Sequence, residues 1–519
     1  MLEQKQSGPA CLLASEEPLV ADGPGVFLKP AMGDLKGRST RGGLVSLGSQ
    51  GIKFGVRVGS MMLLARLLSP EDFGLQGMVG AITGFMALFK DAGLSAVTVQ
   101  REVISQEQVS TLFWVNVGIG ALLAIGLLAL SPAIASFYHE PRLRLVAALS
   151  AVAFLFNGLA VQHLALLQRQ MRFMALALIE VISLVVSCGL AVVMAWMGYR
   201  YWALVGMVVA APVVTFLCAV TALPWRPGRA RRDCDLGAML RFGGMLTCNS
   251  LVVYLGYNIE KILLGRFFGA PALGLYGRAY QLISIPSEQF STAISSVAFP
   301  SLARLQSDPE RLRRAFLKGY SIVLAFNIPT TVGCAVFAEE IVRFVLGPKW
   351  SEAVLIFRLL TPTIVVLSLI NPMAWFLISS GRARQSLYMA LILAPSLIVG
   401  VLLGLKFGPI GVALATSITM TLLVIPLIAY AIAGSNISGA HIWQSVRGPL
   451  VSGILAAIAG VGVKFALAST VPLVALLFLG VCVVFVAHFL SLIYLMGQKE
   501  VYLDLIKQIL RKRSGDSAQ

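Results

Sequence analysis

The chain has 519 residues, of which 57% are hydrophobic and only 13% charged, about half the roughly 25% charge of soluble domains. That balance excludes a set of soluble domains and points to a bundle of membrane helices. The net charge of +17 sits at alternate connections between apolar runs, with no basic helix interleaved with aromatics. It therefore reads as a topology signal and not as a nucleic-acid surface.

Residues 1–41 lack a continuous apolar core and mix Pro, Gly and both charge signs, as a cytosolic tail does and a signal peptide does not. Fourteen apolar runs follow. Six lie near 42–68, 72–98, 109–132, 143–167, 173–197 and 201–223. Six more lie near 241–268, 272–299, 315–337, 353–379, 385–405 and 409–433, and two close the set at 445–468 and 471–496. Each approaches the roughly 20 residues that carry a helix across a bilayer.

The expected fold is all-α and polytopic, with about 14 transmembrane helices. A first lobe covers 42–223, a basic cytosolic linker 224–240, a second lobe 241–433, and two further helices 445–496. In the tail, 497–519, Val501, Leu505, Ile506, Ile509 and Leu510 share a helical face ahead of Arg511-Lys512-Arg513. That pattern fits an amphipathic helix on an anionic leaflet. With the N-terminus inside, the tails and inside connections hold most of the 41 Lys and Arg, which places both termini in the cytosol. The outside connections are short, the longest lying around 338–352, and leave no room for a catalytic domain. The seven cysteines stand singly and the four histidines are isolated, so no metal site, disulfide or cofactor is expected.

An internal repeat divides the chain. Shifted by 200 residues, LLARLLSPEDFGLQG (63–77) lies over LLGRFFGAPALGLYG (263–277) with six identities in fifteen positions. Further on, Gly198, Ala203 and Leu204 meet Gly408, Ala413 and Leu414, and Arg172 meets Arg382. A unit of six spans is even, so the halves are parallel repeats about an axis normal to the membrane, which is the plan of a two-lobed alternating-access transporter.

Charges inside apolar spans are expensive and mark function. Lys53 and Arg57, at i and i+4, share one face of the first span, and Gly51, Gly55 and Gly59 form a small-residue ridge well around from them. The ridge is expected to pack on a neighbouring helix, turning the two bases into a cavity between the lobes. The competing reading pairs them with acids at similar depth, Glu180, Glu260 or Glu288. Glu260 and Lys261 in the seventh span and Arg278 and Glu288 in the eighth are further cavity candidates, and their repeat mates are uncharged. Lys90, Asp91 and Glu180 are weaker candidates, and Arg66 and Arg266, at corresponding outer helix ends, fit packing or snorkelling. A cationic lining implies an anionic amphiphile, and arginine forks match phosphate oxygens.

Several stretches resemble the polysaccharide repeat-unit flippases of the multidrug/oligosaccharidyl-lipid/polysaccharide exporter superfamily, in its colanic-acid-exporter-like branch. They are 33–50 (GDLKGRSTRGGLVSLGSQ), 63–79 (LLARLLSPEDFGLQGMV), 91–102 (DAGLSAVTVQRE), 108–117 (QVSTLFWVNV), 273–286 (LGLYGRAYQLISIP), 299–316 (FPSLARLQSDPERLRRAF) and 346–350 (LGPKW). The resemblance runs from about residue 33 to the end, and residues before Met32 have no counterpart, so Met32 is a candidate translation start. It implies a non-enzymatic inner-membrane flippase moving undecaprenyl-pyrophosphate-linked oligosaccharides from the inner to the outer leaflet, for exopolysaccharide or O-antigen biosynthesis. It implies contact with the lipid-linked oligosaccharide and membrane lipids, with polymerase machinery as a further candidate partner and no cofactor. The basic cavity residues, Lys53 and Arg57 foremost, would hold pyrophosphate or acidic sugar. The alternatives are a drug/cation antiporter, which would rely on membrane carboxylates, and a lipid II flippase.

Overall fold

The computed structural model describes residues 35–90, 94–100, 104–229, 254, 256, 258–285, 302, 304–306 and 308–496. Among them all regular structure is helical. The first half comprises α1 (Leu35–Leu67), α2 (Pro70–Ala87), α3 (Leu94–Gln100), α4 (Gln106–Tyr138), α5 (Leu143–Arg169), α6 (Phe173–Trp196) and α7 (Tyr201–Ala222). The second begins with α8 (258–285). It continues through α9 (Pro309–Val336), α10 (Ala338–Val345), α11 (Ala353–Leu360), α12 (Pro362–Ser379), α13 (Ala383–Gly404) and α14 (Gly408–Ile432), and ends with α15 (Gly439–Leu467) and α16 (Leu473–Leu490).

α1 begins ahead of the expected start at 42, and the expected second span divides into α2 and α3. The tenth divides into α11 and α12 at Thr361, where Pro362 supplies no backbone donor. Most of the expected N-terminal tail, most of the basic linker, the start of the seventh span, the end of the eighth and the amphipathic tail lie outside the described residues.

Local chemistry sets the helix starts. Ser69 and Asp72 form a capping box with Pro70 at the first position of α2, Ser105 and Gln108 form one on α4, and Asp308 caps α9 ahead of Pro309. α8 is a hairpin. Lys261 and Tyr280 would stand about 28 Å apart on a straight helix, yet the Lys261 ammonium lies 5.4 Å from the Tyr280 ring. The chain turns back at Gly269, whose φ of +78° is left-handed.

Nine stretches among the described residues are long and apolar enough to cross a membrane, including one of 49 residues over Arg384–Ile432. That one turns back near Gly408 (φ +70°), so that α13 packs on α14. The apolar surface faces outward: Leu122, Trp196, Ile425 and Phe465 are 70–83% exposed. An apolar surface of that extent needs lipid around it. The chain is an all-α polytopic membrane protein.

In the first half α1 packs on α6, α5 on α4 and α7, and α2 on α4, α5 and α7. In the second, α9 packs on α12 and α15, α14 on α11, α12 and α13, and α15 pairs with α16. Lys464 on α15 bonds Glu340 of α10 at 2.8–3.0 Å, tying the last helices to the second half. The repeat mates Arg172 and Arg382 act alike: one donates to the Ala222 carbonyl closing α7, the other to the Ala433 carbonyl closing α14.

The expected packing of Gly51, Gly55 and Gly59 is reversed. A Cβ on any of the three would meet nothing within 4 Å, so the ridge looks onto open space. α1 turns another face to α6, where the Lys53 ammonium bonds the Glu180 carboxylate at 2.5 Å. A half-buried amine on an apolar helix needs a counter-charge more than a small-residue ridge needs a partner helix.

Candidate functional site

α2 and the two limbs of α8 enclose a cavity of about 320 Å³ between the halves. α2 contributes Phe73, Gln76 and Gly80; the first limb of α8 contributes Asn258 and Lys261; the second contributes Gly277, Arg278, Tyr280 and Gln281. Asn258 and Lys261 stand three apart, as do Arg278 and Gln281, so each pair projects from one helix face. Lys261 donates to the Asn258 amide oxygen at 2.8 Å and lies over the Tyr280 ring. The Arg278 guanidinium donates to Gln281 and stacks 3.8 Å above the Phe73 ring. Among the described residues no carboxylate comes within ion-pair distance of Lys261 or Arg278. Two cations, three amides and two aromatic faces thus converge on one space, and that set accepts an anion with adjoining hydroxyls.

A clasp between the halves closes this cavity at the end where α1 stops and α2 starts. It is built on repeat mates. A Cβ on Gly74 would fall 1.8 Å from the carbonyl oxygen of Ala270, and one on Gly274 would fall 1.8 Å from that of Pro70. Residues 70 and 270 are themselves mates, so the two crossings are the same contact viewed from either half. Around it, Trp350 is fully buried, donates to the Ala65 carbonyl at 2.9 Å and meets the Phe73 ring at 5.5 Å. Arg66 donates to the Phe344 carbonyl at 3.0 Å. Deeper along the same seam the Tyr254 hydroxyl donates to the Ala81 carbonyl at 2.8 Å.

A second cavity, of about 450 Å³, lies within the first half and is lined by Gln50, Lys53, Lys90, Gln168 and Glu180. The structure therefore separates the sequence candidates. Lys261 and Arg278 line the cavity between the halves; Lys53, Lys90 and Glu180 share the cavity in the first half, with Lys53 neutralised by Glu180. Arg57 is exposed and lines neither, and Glu260 is buried, 5% exposed, outside both linings. Asp91 and Glu288 lie outside the described residues. Phe73, Gln76, Asn258, Tyr280 and Gln281 escape a reading that ranks charges alone; the three-residue spacing of an amide and a cation on one helix face marks Asn258 and Gln281, while Phe73, Gln76 and Tyr280 carry no such signal.

Residues 63–355 match the family described as polysaccharide biosynthesis protein. The lipopolysaccharide biosynthesis protein WzxC of Escherichia coli (strain K12) is 29% identical over 373 residues, 70% of this chain and 74% of that one. The teichuronic acid biosynthesis protein TuaB of Bacillus subtilis (strain 168) is 29% identical over 335 residues, 64% of this chain and 69% of its own. Among solved structures, the lipid II flippase MurJ in an inward closed conformation aligns with a TM-score of 0.71, covering 89% of this chain and 99% of that one. At 15% identity that likeness speaks for the fold alone.

Proposed function

Because the chain belongs to the polysaccharide biosynthesis protein family, matched across residues 63–355, we propose that it flips lipid-linked oligosaccharide repeat units. The carrier is undecaprenyl pyrophosphate, the direction is from the inner to the outer leaflet, and both termini are cytosolic. The clasped end is then the outer end. One observation carries the reading: Lys261 and Arg278, without a carboxylate at pairing distance among the described residues, face a cavity between the halves directly beneath the clasp. A pyrophosphate supplies the missing counter-charge, and the amides of Gln76, Asn258 and Gln281 offer hydrogen bonds to the adjoining sugar. A cationic drug would meet like charge there, which disfavours the antiporter alternative.

The test is the leaflet distribution of lipid-linked oligosaccharide in cells lacking the protein. Deletion should accumulate it on the inner leaflet, and wild type should relieve the accumulation. Lys261→Ala with Arg278→Ala should fail to relieve it at equal protein level. Lys53→Ala with Arg57→Ala, run in parallel, weighs the cavity of the first half. Full rescue by the Lys261/Arg278 double variant would remove the anion site from the path, and unchanged lipid intermediates in the deletion would end the flippase reading.

A further inference from the structure

The clasp carries a titratable hook besides its glycines. Arg66 and Arg266 are repeat mates, and each reaches across to the opposite half. Arg66 donates to the Phe344 carbonyl at 3.0 Å; Arg266 donates to Nδ1 of His139 at 2.8 Å. The two hooks differ in chemistry. A carbonyl oxygen accepts at any pH, whereas an imidazole nitrogen accepts only while it keeps its lone pair. Since a guanidinium always donates, His139 in this contact must be neutral at Nδ1.

His139 terminates α4 in the left-handed region, with φ of +55°, and its side chain is exposed at the outer end. Water and protons on that side reach it directly. Arg266 is held in place by the rings of Phe137 and Phe267, 5.6 and 5.9 Å from its guanidinium carbon, so it cannot swing far from the imidazole. Among the described residues, the other ionisable groups around this corner include Glu140 and Arg142 on the loop that follows, Glu71 and Asp72 at the start of α2, Arg200 beside Asp72, and the buried Tyr138. Arg142 bonds Glu140 at 2.7 and 2.8 Å and Glu71 at 2.7 Å. Those hydrogen bonds hold the Glu140 carboxyl below the usual range, so it stays ionised where histidine titrates. Neither carboxylate pairs with Arg266, whose side-chain partner across the seam is the His139 ring.

We propose that His139 is a proton-operated latch on the outer clasp: neutral, it accepts from Arg266 and holds the halves together; protonated from the outside, it faces Arg266 as a like charge and releases them. The sign follows from linkage. The clasped state requires the unprotonated ring and the opened state does not, so the opened state binds the proton more tightly and acid favours it. Acidity outside then promotes opening of the cavity toward the outer leaflet, where the proposed cargo must leave. The latch rests on the flippase reading only for which end is outer.

Its test needs no substrate. Spin labels at Tyr199→Cys and Glu352→Cys, both exposed on outer connections of opposite halves, report the opening by pulsed dipolar spectroscopy on the full chain in liposomes, with the native cysteines replaced. Between pH about 8 and pH about 5.5, the window of histidine titration, the parent should gain a longer-distance population. His139→Asn should stay short at both pH values, because Asn tolerates a left-handed φ and its amide oxygen still accepts from Arg266. Arg266→Met, which leaves residue 139 untouched, should give the same distances at both pH values. No lengthening in the parent, or lengthening that persists in either variant, would overturn the latch. Since no lipid-linked substrate is present, that failure would leave the leaflet assay standing, and failure of the leaflet assay would leave the pH response standing.

Discussion

Phe73 stands where cavity and clasp meet: the Arg278 guanidinium lies 3.8 Å over its ring, and the Trp350 indole lies 5.5 Å from it. A planar guanidinium can keep that stacking while turning its fork toward an anion; an ammonium can do neither as well. Stacking of this kind contributes about 0.5–2 kcal/mol depending on desolvation, and a phosphate fork adds directional hydrogen bonds. Arg278→Lys should therefore lower flipping roughly tenfold, about 1.4 kcal/mol, with protein level and fold unchanged. Lys261→Arg keeps a cation that can still meet the Asn258 amide oxygen and the Tyr280 ring, and should cost less than about threefold. Initial rates of lipid-linked oligosaccharide appearance on the outer leaflet would measure both. Equal losses in the two variants would show that Arg278 acts as a charge and nothing more.

The same reasoning moves to elements through the glycines of α2 and α8. Gly74 and Gly274 each approach the backbone of the opposite half at a point where a Cβ would lie 1.8 Å from a carbonyl oxygen, and backbone gives way poorly. Gly74→Ala and Gly274→Ala should both hold the clasp open, raising outside labelling of a cavity thiol at Ser284→Cys by about tenfold or more. Gly77→Ala is the control, since its Cβ would meet only the Leu273 side chain at 3.4 Å. This pair was half legible. The 200-residue repeat aligned Gly74 with Gly274, but sequence could not show that the mates cross each other, because that contact belongs to the docking of the two halves. The ridge on α1 was misread for a related reason. Helical periodicity gives the angle between Lys53 and Gly51, Gly55 and Gly59, but not how the helix is turned, and the Lys53–Glu180 pair set that orientation. Composition and apolar runs sufficed for the membrane bundle because lipid dictates length and apolarity one helix at a time.

At the scale of the molecule, each side of the clasp is anchored to its own half. On the first, Arg142 bonds Glu71 at 2.7 Å and Arg200 approaches the buried Asp72 at 3.8 Å, so the start of α2 moves with α5 and α7. On the second, α10 packs on α9, α11 and α16, and Glu340 bonds Lys464 of α15. Opening then requires rotation of one half against the other and not the bending of a loop. The exposed Arg66 and Lys349 face each other across the seam, with the Lys349 ammonium 3.4 Å from the Arg66 carbonyl. A cleavable bifunctional thiol reagent joining Arg66→Cys to Lys349→Cys should therefore stop transport. Either cysteine alone, treated alike, should keep it, and reduction of the linker should restore it. Loss of transport without recovery on reduction would point to damage at the site of modification. Transport that continues in fully cross-linked protein would mean that the clasped end never opens, and the cargo would need a route that bypasses the clasp.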